Sequence, residues 1–252
     1  MAKVIAISNH KGGTGKTTTA VNLTFALARR EHKVLLIDLD AQASATQTLR
    51  LAGKAGQTSA AMLAGGRAVV PQAVGFAASK VDIIPSSADL AAVEPALTGP
   101  GAAFRLAKIV AGFRGLYDYI VIDTAPAMGA VTLNALVAAD EVIIPLEPEY
   151  LALHGLSQMF DTIDEVNEAR KGGPLKVRAL ACKCDLRKSL HRMTLNTMKA
   201  NGVKVFRTVI RCSIALAEAP AAGMDVFHYA KNSNGARDYD ALAAEYLEES
   251  HA

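Results

Sequence analysis

Residues 3–19, KVIAISNHKGGTGKTTT, run an apolar strand straight into a glycine-rich loop and then into a helix. Few folds accommodate that order. A strand that ends in such a loop at a helix start belongs to an open α/β sheet, where loop amides and the positive end of the helix dipole converge on one cavity. Gly12, Gly13 and Gly15 let the backbone turn with its amides inward. Lys16 then places an ammonium on the β- and γ-phosphates of a nucleotide, and the Thr17 hydroxyl sits on a divalent cation. The ordinary phosphate-loop expression asks for glycine at position 10, where this chain has His10, and a second lysine, Lys11, heads the loop.

As it stands, KGGTGKTT at 11–18 resembles the deviant Walker A loop of the ParA/MinD ATPases. The resemblance implies ATP and Mg²⁺, with nucleotide contacts from Lys11, Gly12, Gly13, Thr14, Gly15, Lys16, Thr17 and Thr18. It also implies an ATP-dependent homodimer in which Lys11 reaches the partner's nucleotide, so that Lys11 and Lys16 both stabilise charge during hydrolysis.

Two more apolar runs end in carboxylates. KVLLIDLD at 33–40 reads as a buried parallel strand that delivers Asp38 and Asp40 to the carboxyl end of the sheet, beside the loop. YDYIVIDTAP at 117–126 ends in Asp123, the pattern of a Walker B carboxylate that holds Mg²⁺, often through a water. By resemblance, Asp40 positions or activates the attacking water. Departures accompany the match: relatives usually have proline at 41, glycine at 43 and asparagine at 44, where this chain has Ala41, Ala43 and Ser44, and Thr124 and Ala125 replace a cysteine and a proline.

The remaining pattern alternates. Strands are expected at 81–85, 141–147, 177–185 and 205–210, with helices at 18–30, from a serine cap at 86 to 94, through 104–110, and at 130–139, 153–170, from 189 onward and 235–249. Residues 52–80 read as short helices and loops without chemistry, 172–174 as a loop, and 134–145 with 150–156 again look like the ParA type. By the same resemblance, 208–220 helps frame the adenine. The expected fold is a single α/β domain over 1–252, a doubly wound, mostly parallel sheet with helices on both faces.

No apolar run approaches the ~18 residues that span a bilayer, and the chain enters a strand at once, so the expectation is a cytoplasmic protein. Cys182, Cys184 and Cys212 make an odd count that argues against a disulfide framework, and the C-x-C pair on a strand sends its thiols to opposite faces. The net charge of +3 hides an asymmetry: residues 171–240 carry 13 Lys/Arg against 5 Asp/Glu, a net of +8 against −5 elsewhere. A basic segment on an otherwise acidic chain suits a polyanion.

That segment agrees with what the family resemblance implies: nonspecific binding of double-stranded DNA at the nucleoid, release after hydrolysis, and a ParB-like or cargo-adaptor partner that stimulates turnover. Arg187, Lys188, Arg192 and Arg211 are the candidate phosphate contacts, while Ala215 and Cys212 stand where relatives often carry basic residues. Rival readings are a MinD-like membrane-cycling ATPase, a reductase of the nitrogenase iron-protein type, and a small-molecule ligase on the same loop. The first would need a basic amphipathic C-terminal helix, whereas 244–252 is acidic; the second would need two properly placed cysteines per subunit after the switch regions, and Thr124 and Ala125 occupy one candidate turn.

Overall fold

A computed structural model describes residues 1–75, 81–149, 152–170 and 173–250; residues 76–80, 150–151, 171–172 and 251–252, which fall within the stretches read above, lie outside them. The strands are β1 (Lys3–Ile7), β2 (Val34–Leu39), β3 (Gln72–Ala73), β4 (Val81–Ile84), β5 (Tyr119–Thr124), β6 (Glu141–Leu146) and β7 (Lys176–Ala181). The helices are α1 (Lys16–Ala28), α2 (Ser44–Thr48), α3 (Ser59–Gly65), α4 (Leu90–Val93), α5 (Arg105–Ala111), α6 (Ala130–Ala138), α7 (Ala152–Ala169), α8 (Ser189–Ala200), α9 (Ile214–Ala222), α10 (Val226–Ala230) and α11 (Asn234–Ser250).

The strands lie side by side in the order β3-β4-β2-β5-β1-β6-β7, all parallel except the short β3 against β4. Central strands are apolar on both faces because each face is covered. Val4 and Ala6 face one core with Leu35 and Ile37, closed over by α3 to α8; Ile5 and Ile7 face the other with Leu36 and Val121, closed over by α1, α2, α10 and α11. On α7, Leu156, Met159, Ile163 and Val166 recur at helical spacing and are the residues it buries. The doubly wound architecture read from the sequence is the observed one.

Three local readings change. Helix α1 starts at Lys16, as the loop requires, but it ends at Ala28, so Arg30 lies beyond it, paired with Asp240 of α11 at 2.6 Å. Ser86 caps nothing: it is buried, and its amide donates to Thr46 Oγ1 at 2.9 Å. Residues 205–210 form no full strand. They make isolated parallel bridges to β7 and its extension, at Ala179–Val205 and Cys184–Arg211. Between them the amides of Arg207 and Thr208 turn onto the Glu245 carboxylate of α11, at 2.7 and 2.8 Å, so a side chain takes the place of a ladder.

At the amino ends of the strands a buried ionic cluster joins β1, β6, β7 and α11. Glu141 pairs with Lys3 at 2.9 Å and with Arg178, and accepts the Tyr246 hydroxyl at 3.2 Å. The Arg178 guanidinium lies over the Phe206 ring at 4.1 Å and the Tyr246 ring at 4.8 Å. Burial pushes the Glu141 carboxyl up, but Arg178 and Lys3 outweigh it and hold its pKa below the ordinary value. A depressed carboxylate pKa adds stability above the unfolded value of about 4.3 that disappears as pH falls through the folded one. Glu141→Gln should therefore lower unfolding stability by roughly 1–3 kcal/mol at pH 7, where it leaves the buried Arg178 with only the half-exposed Glu249, at 2.6 Å, as carboxylate partner. Urea denaturation series should show the loss shrinking below pH 4, because the wild type has then lost the same charge.

Candidate nucleotide-binding site

Gly13 at φ +74° and Gly15 at φ +95° occupy the left-handed region, and Gly15 ends the loop at the start of α1. A Cβ at position 15 would meet only Cys182 at an ordinary 3.7 Å, so backbone conformation rather than space requires glycine there. Asn9 braces the loop from below: its Nδ2 donates to the Pro145 carbonyl at 2.7 Å and its Oδ1 accepts the Lys11 amide at 3.0 Å. The Lys16 ammonium is buried and donates to the Lys11 carbonyl at 3.0 Å, closing the loop on itself. Burial lowers the Lys16 pKa, and Asp123 and Asp40 oppose that shift, so all three groups share one electrostatic neighbourhood.

Strands β2 and β5 are adjacent and in register, with Asp38 opposite Asp123. Both carboxylates are fully buried. Asp38 is hydrogen-bonded by the Thr46 hydroxyl at 2.7 Å, the Thr46 amide at 2.8 Å and the Asp40 amide at 3.1 Å; burial nevertheless pushes it up to about 6. Neither oxygen of Asp123 has a well-formed hydrogen bond. Burial first, and then the charge of Asp38, raise its pKa well above the ordinary value, while the nearby Thr17 hydroxyl pulls it down. An unpartnered carboxylate in this setting is costly unless a cation answers it. The donor set, two buried carboxylates with the Thr17 hydroxyl beside one of them, is hard oxygen chemistry that fits Mg²⁺.

Asp40 is nearly buried, with its Oδ1 accepting the Gln42 amide at 2.9 Å. After it the chain turns at Ala43, whose φ of +52° is left-handed. Alanine there costs roughly 1 kcal/mol relative to the glycine that the family resemblance led one to expect. Thr46 then ties the turn to Asp38 and, through its hydroxyl, to the Ser86 amide. Asn9 and Thr46 are positioning residues that no local sequence pattern announces; both act through partners distant in the chain.

Lys11 does not join the carboxylates. Its ammonium is half-exposed and lies 3.6 Å from Glu149. Beside the loop, a cavity of about 160 Å³ is lined by Gly15, Thr18, Cys182, Ile210, Leu216 and Tyr239, so the 208–220 segment does reach the loop. Cys182 and Cys184 enter opposite cores, and burial pushes the Cys182 thiol up to about 12.

The sequence profile of an AAA-domain family matches residues 2–175. The chain is 36% identical to the sporulation initiation inhibitor protein Soj of Bacillus subtilis, over 97% of this chain and 98% of that protein. It is 36% identical to the chromosome partitioning protein ParA of Caulobacter vibrioides, over 97% and 94%. This chain belongs to the ParA/Soj family of P-loop ATPases. Among solved structures, a cobyrinic acid a,c-diamide synthase from Mycobacterium smegmatis with bound ADP and magnesium aligns over 100% of this chain and 96% of its own, with a TM-score of 0.83 and 30% identity.

In this ParA/Soj-family chain the basic residues singled out from the sequence divide into two groups. Arg187, Lys188 and Arg192 are exposed around the start of α8. Arg187 is paired with Asp185 at 2.8 Å, and Arg192 donates to the Leu186 carbonyl at 2.7 Å, fixing the turn that presents them. Arg211 stands apart. Its guanidinium and amide both engage Asp238 of α11, the closest contact being 2.6 Å, as those of Arg187 engage Asp185, but its partner lies on a later helix. Ala215 packs against the α1 and α11 core.

Asp123→Asn removes the unanswered buried charge. The variant should unfold about 1–3 kcal/mol later than wild type without ligands, and the stabilisation that Mg²⁺ and nucleotide add to wild type should fall away. Urea denaturation with and without both ligands checks the two effects together.

Proposed function

We propose that the chain is an ATP-hydrolysing partition or positioning protein of the cytoplasm, associated with the nucleoid. It dimerises on ATP, binds double-stranded DNA nonspecifically, and segregates or positions a cargo with a ParB-like or adaptor partner that stimulates hydrolysis. The observation that carries the reading is the unpartnered Asp123 beside Asp38 at the mouth of the loop, where Lys16 is also buried. The full-length likeness to Soj and ParA supplies the biological class.

In this reading Lys16 exchanges the Lys11 carbonyl for phosphate oxygens, and the amides that follow Lys11 cradle the rest. Thr17, and Asp123 through a water, would hold Mg²⁺, which would supply positive charge to the phosphates. Asp40, held near the cluster by the Gln42 amide, orients the water for in-line attack. Lys11 leaves Glu149 to meet the partner subunit's nucleotide. Arg187, Lys188 and Arg192 meet DNA phosphates, which needs no base readout.

The structure of the M. smegmatis synthase favours a second reading, ATP-driven amide formation on a carboxylic acid. That enzyme class would turn ATP over only in step with an acid and an ammonia donor, and without DNA. A membrane-cycling role is disfavoured, because Tyr239, Leu242, Ala243 and Tyr246, the apolar side of α11, are buried in the core, and no described helix is long and apolar enough to cross a bilayer.

Sedimentation with ATP is the first test. Lys16→Ala should bind no nucleotide, Lys11→Ala should bind it yet remain monomeric, and Asp40→Ala should accumulate as an ATP-bound dimer; ATP-dependent dimers of both lysine variants would remove the proposed roles. Binding to random-sequence duplex DNA should require ATP and weaken with salt. Lys188→Ala and Arg192→Ala should each lower the slope of log affinity against log salt by about 1; unchanged slopes would place the DNA contact elsewhere.

A further inference from the structure

At the amino ends of the strands, away from the loop, α5, the end of α6 and the residue that follows α7 line an open cavity of about 640 Å³. That is within the range that takes small ligands. Its walls are apolar, formed by Phe104, Ala107, Val137 and Ala138. Arg114 and Asp140 line it as a bidentate pair, both contacts 2.9 Å, and so neutralise each other.

Two cations at this cavity have no such partner. Lys108 is exposed on α5 and makes no ion pair among the described residues. Arg170 donates Nη1 to the carbonyls of Leu136, Val137 and Ala139 at the end of α6, and Nε to that of Gly173, with no carboxylate in ion-pair contact among the described residues. Those carbonyls orient its guanidinium without neutralising it. Burial holds Arg170 below its ordinary pKa; Asp140 offsets this and Arg114 adds to it. Lys108, Arg114 and Arg170 against Asp140 leave the cavity with an excess of positive charge beside apolar walls.

We propose that this cavity binds a small amphipathic anion, with an apolar body against Phe104 and Val137 and one carboxylate or sulfonate between Lys108 and Arg170. A neutral apolar ligand would bury Arg170 further without answering its charge, and a compact polyanion would strip water from the walls without filling them. Occupancy would couple to the nucleotide site along α6, which begins just past the Asp123 turn and ends at the cavity wall.

The test uses the full chain without nucleotide, 8-anilinonaphthalene-1-sulfonate as fluorescent probe and decanoate as competitor. Wild type should bind the probe at one saturable site from which decanoate displaces it. Lys108→Glu, an exposed change that leaves the fold intact, should weaken both by about tenfold or more, as reversal of a contacting charge does. Ala107→Trp should abolish binding by filling the cavity, whereas Lys204→Glu, at a different surface depression, should leave it unchanged. Binding of equal strength in wild type and Lys108→Glu, or probe fluorescence that decanoate does not displace, would overturn the assignment.

Discussion

Two fully buried carboxylates face each other at the ends of the two strands in the middle of this sheet, and the arrangement around them answers that fact. The register of β2 on β5 puts Asp38 opposite Asp123, so neither can withdraw without slipping the central ladder. Asp38 is stabilised by three hydrogen bonds, from Thr46 and the Asp40 amide. Asp123 has no comparable support. Desolvation and like-charge repulsion act on both carboxylates, but the hydrogen bonds that offset them are concentrated on Asp38, and Lys16 is the nearby cation that draws the Asp123 pKa back down.

The loop is set to exchange partners. Lys16 donates to a carbonyl of its own loop, a contact that the proposed function has it give up for a phosphate oxygen. Lys11 is likewise engaged, on a half-exposed glutamate where an ion pair is worth at most ~1 kcal/mol. Both lysines are positioned by contacts weak enough to give way to a stronger anion. The rigid parts, Asn9 on Pro145 and Thr46 on Asp38 and Ser86, are neutral hydrogen bonds or bonds to a buried group.

The central strands and the loop were legible in the sequence because their signals are local: apolar runs covered on both faces, glycines forced to positive φ, carboxylates at strand ends. What escaped was long-range. Thr46 and Asn9 look like ordinary loop residues until the fold brings Asp38 and Pro145 to them. Ser86 carries the composition of a helix cap but is drawn inward by Thr46. Arg211 reads as surface charge in a basic stretch, yet Asp238 on a later helix claims it. Net charge over a segment counts residues and is blind to pairing.

Glu245 has a consequence for the behaviour of the molecule in a crowded solution. A seven-stranded sheet whose last full strand is β7 would present a row of open amides on that side. Segment 205–210 covers part of the row, and Glu245 ties down two of the covering segment's own amides with a negative charge. An edge shielded in this way is a poorer template for pairing with another chain, which is how flat open edges lead to swapped or fibrous assemblies. That tie comes from α11, which follows the covering segment in the chain, so during synthesis the segment stays unpinned until the later helix has been made.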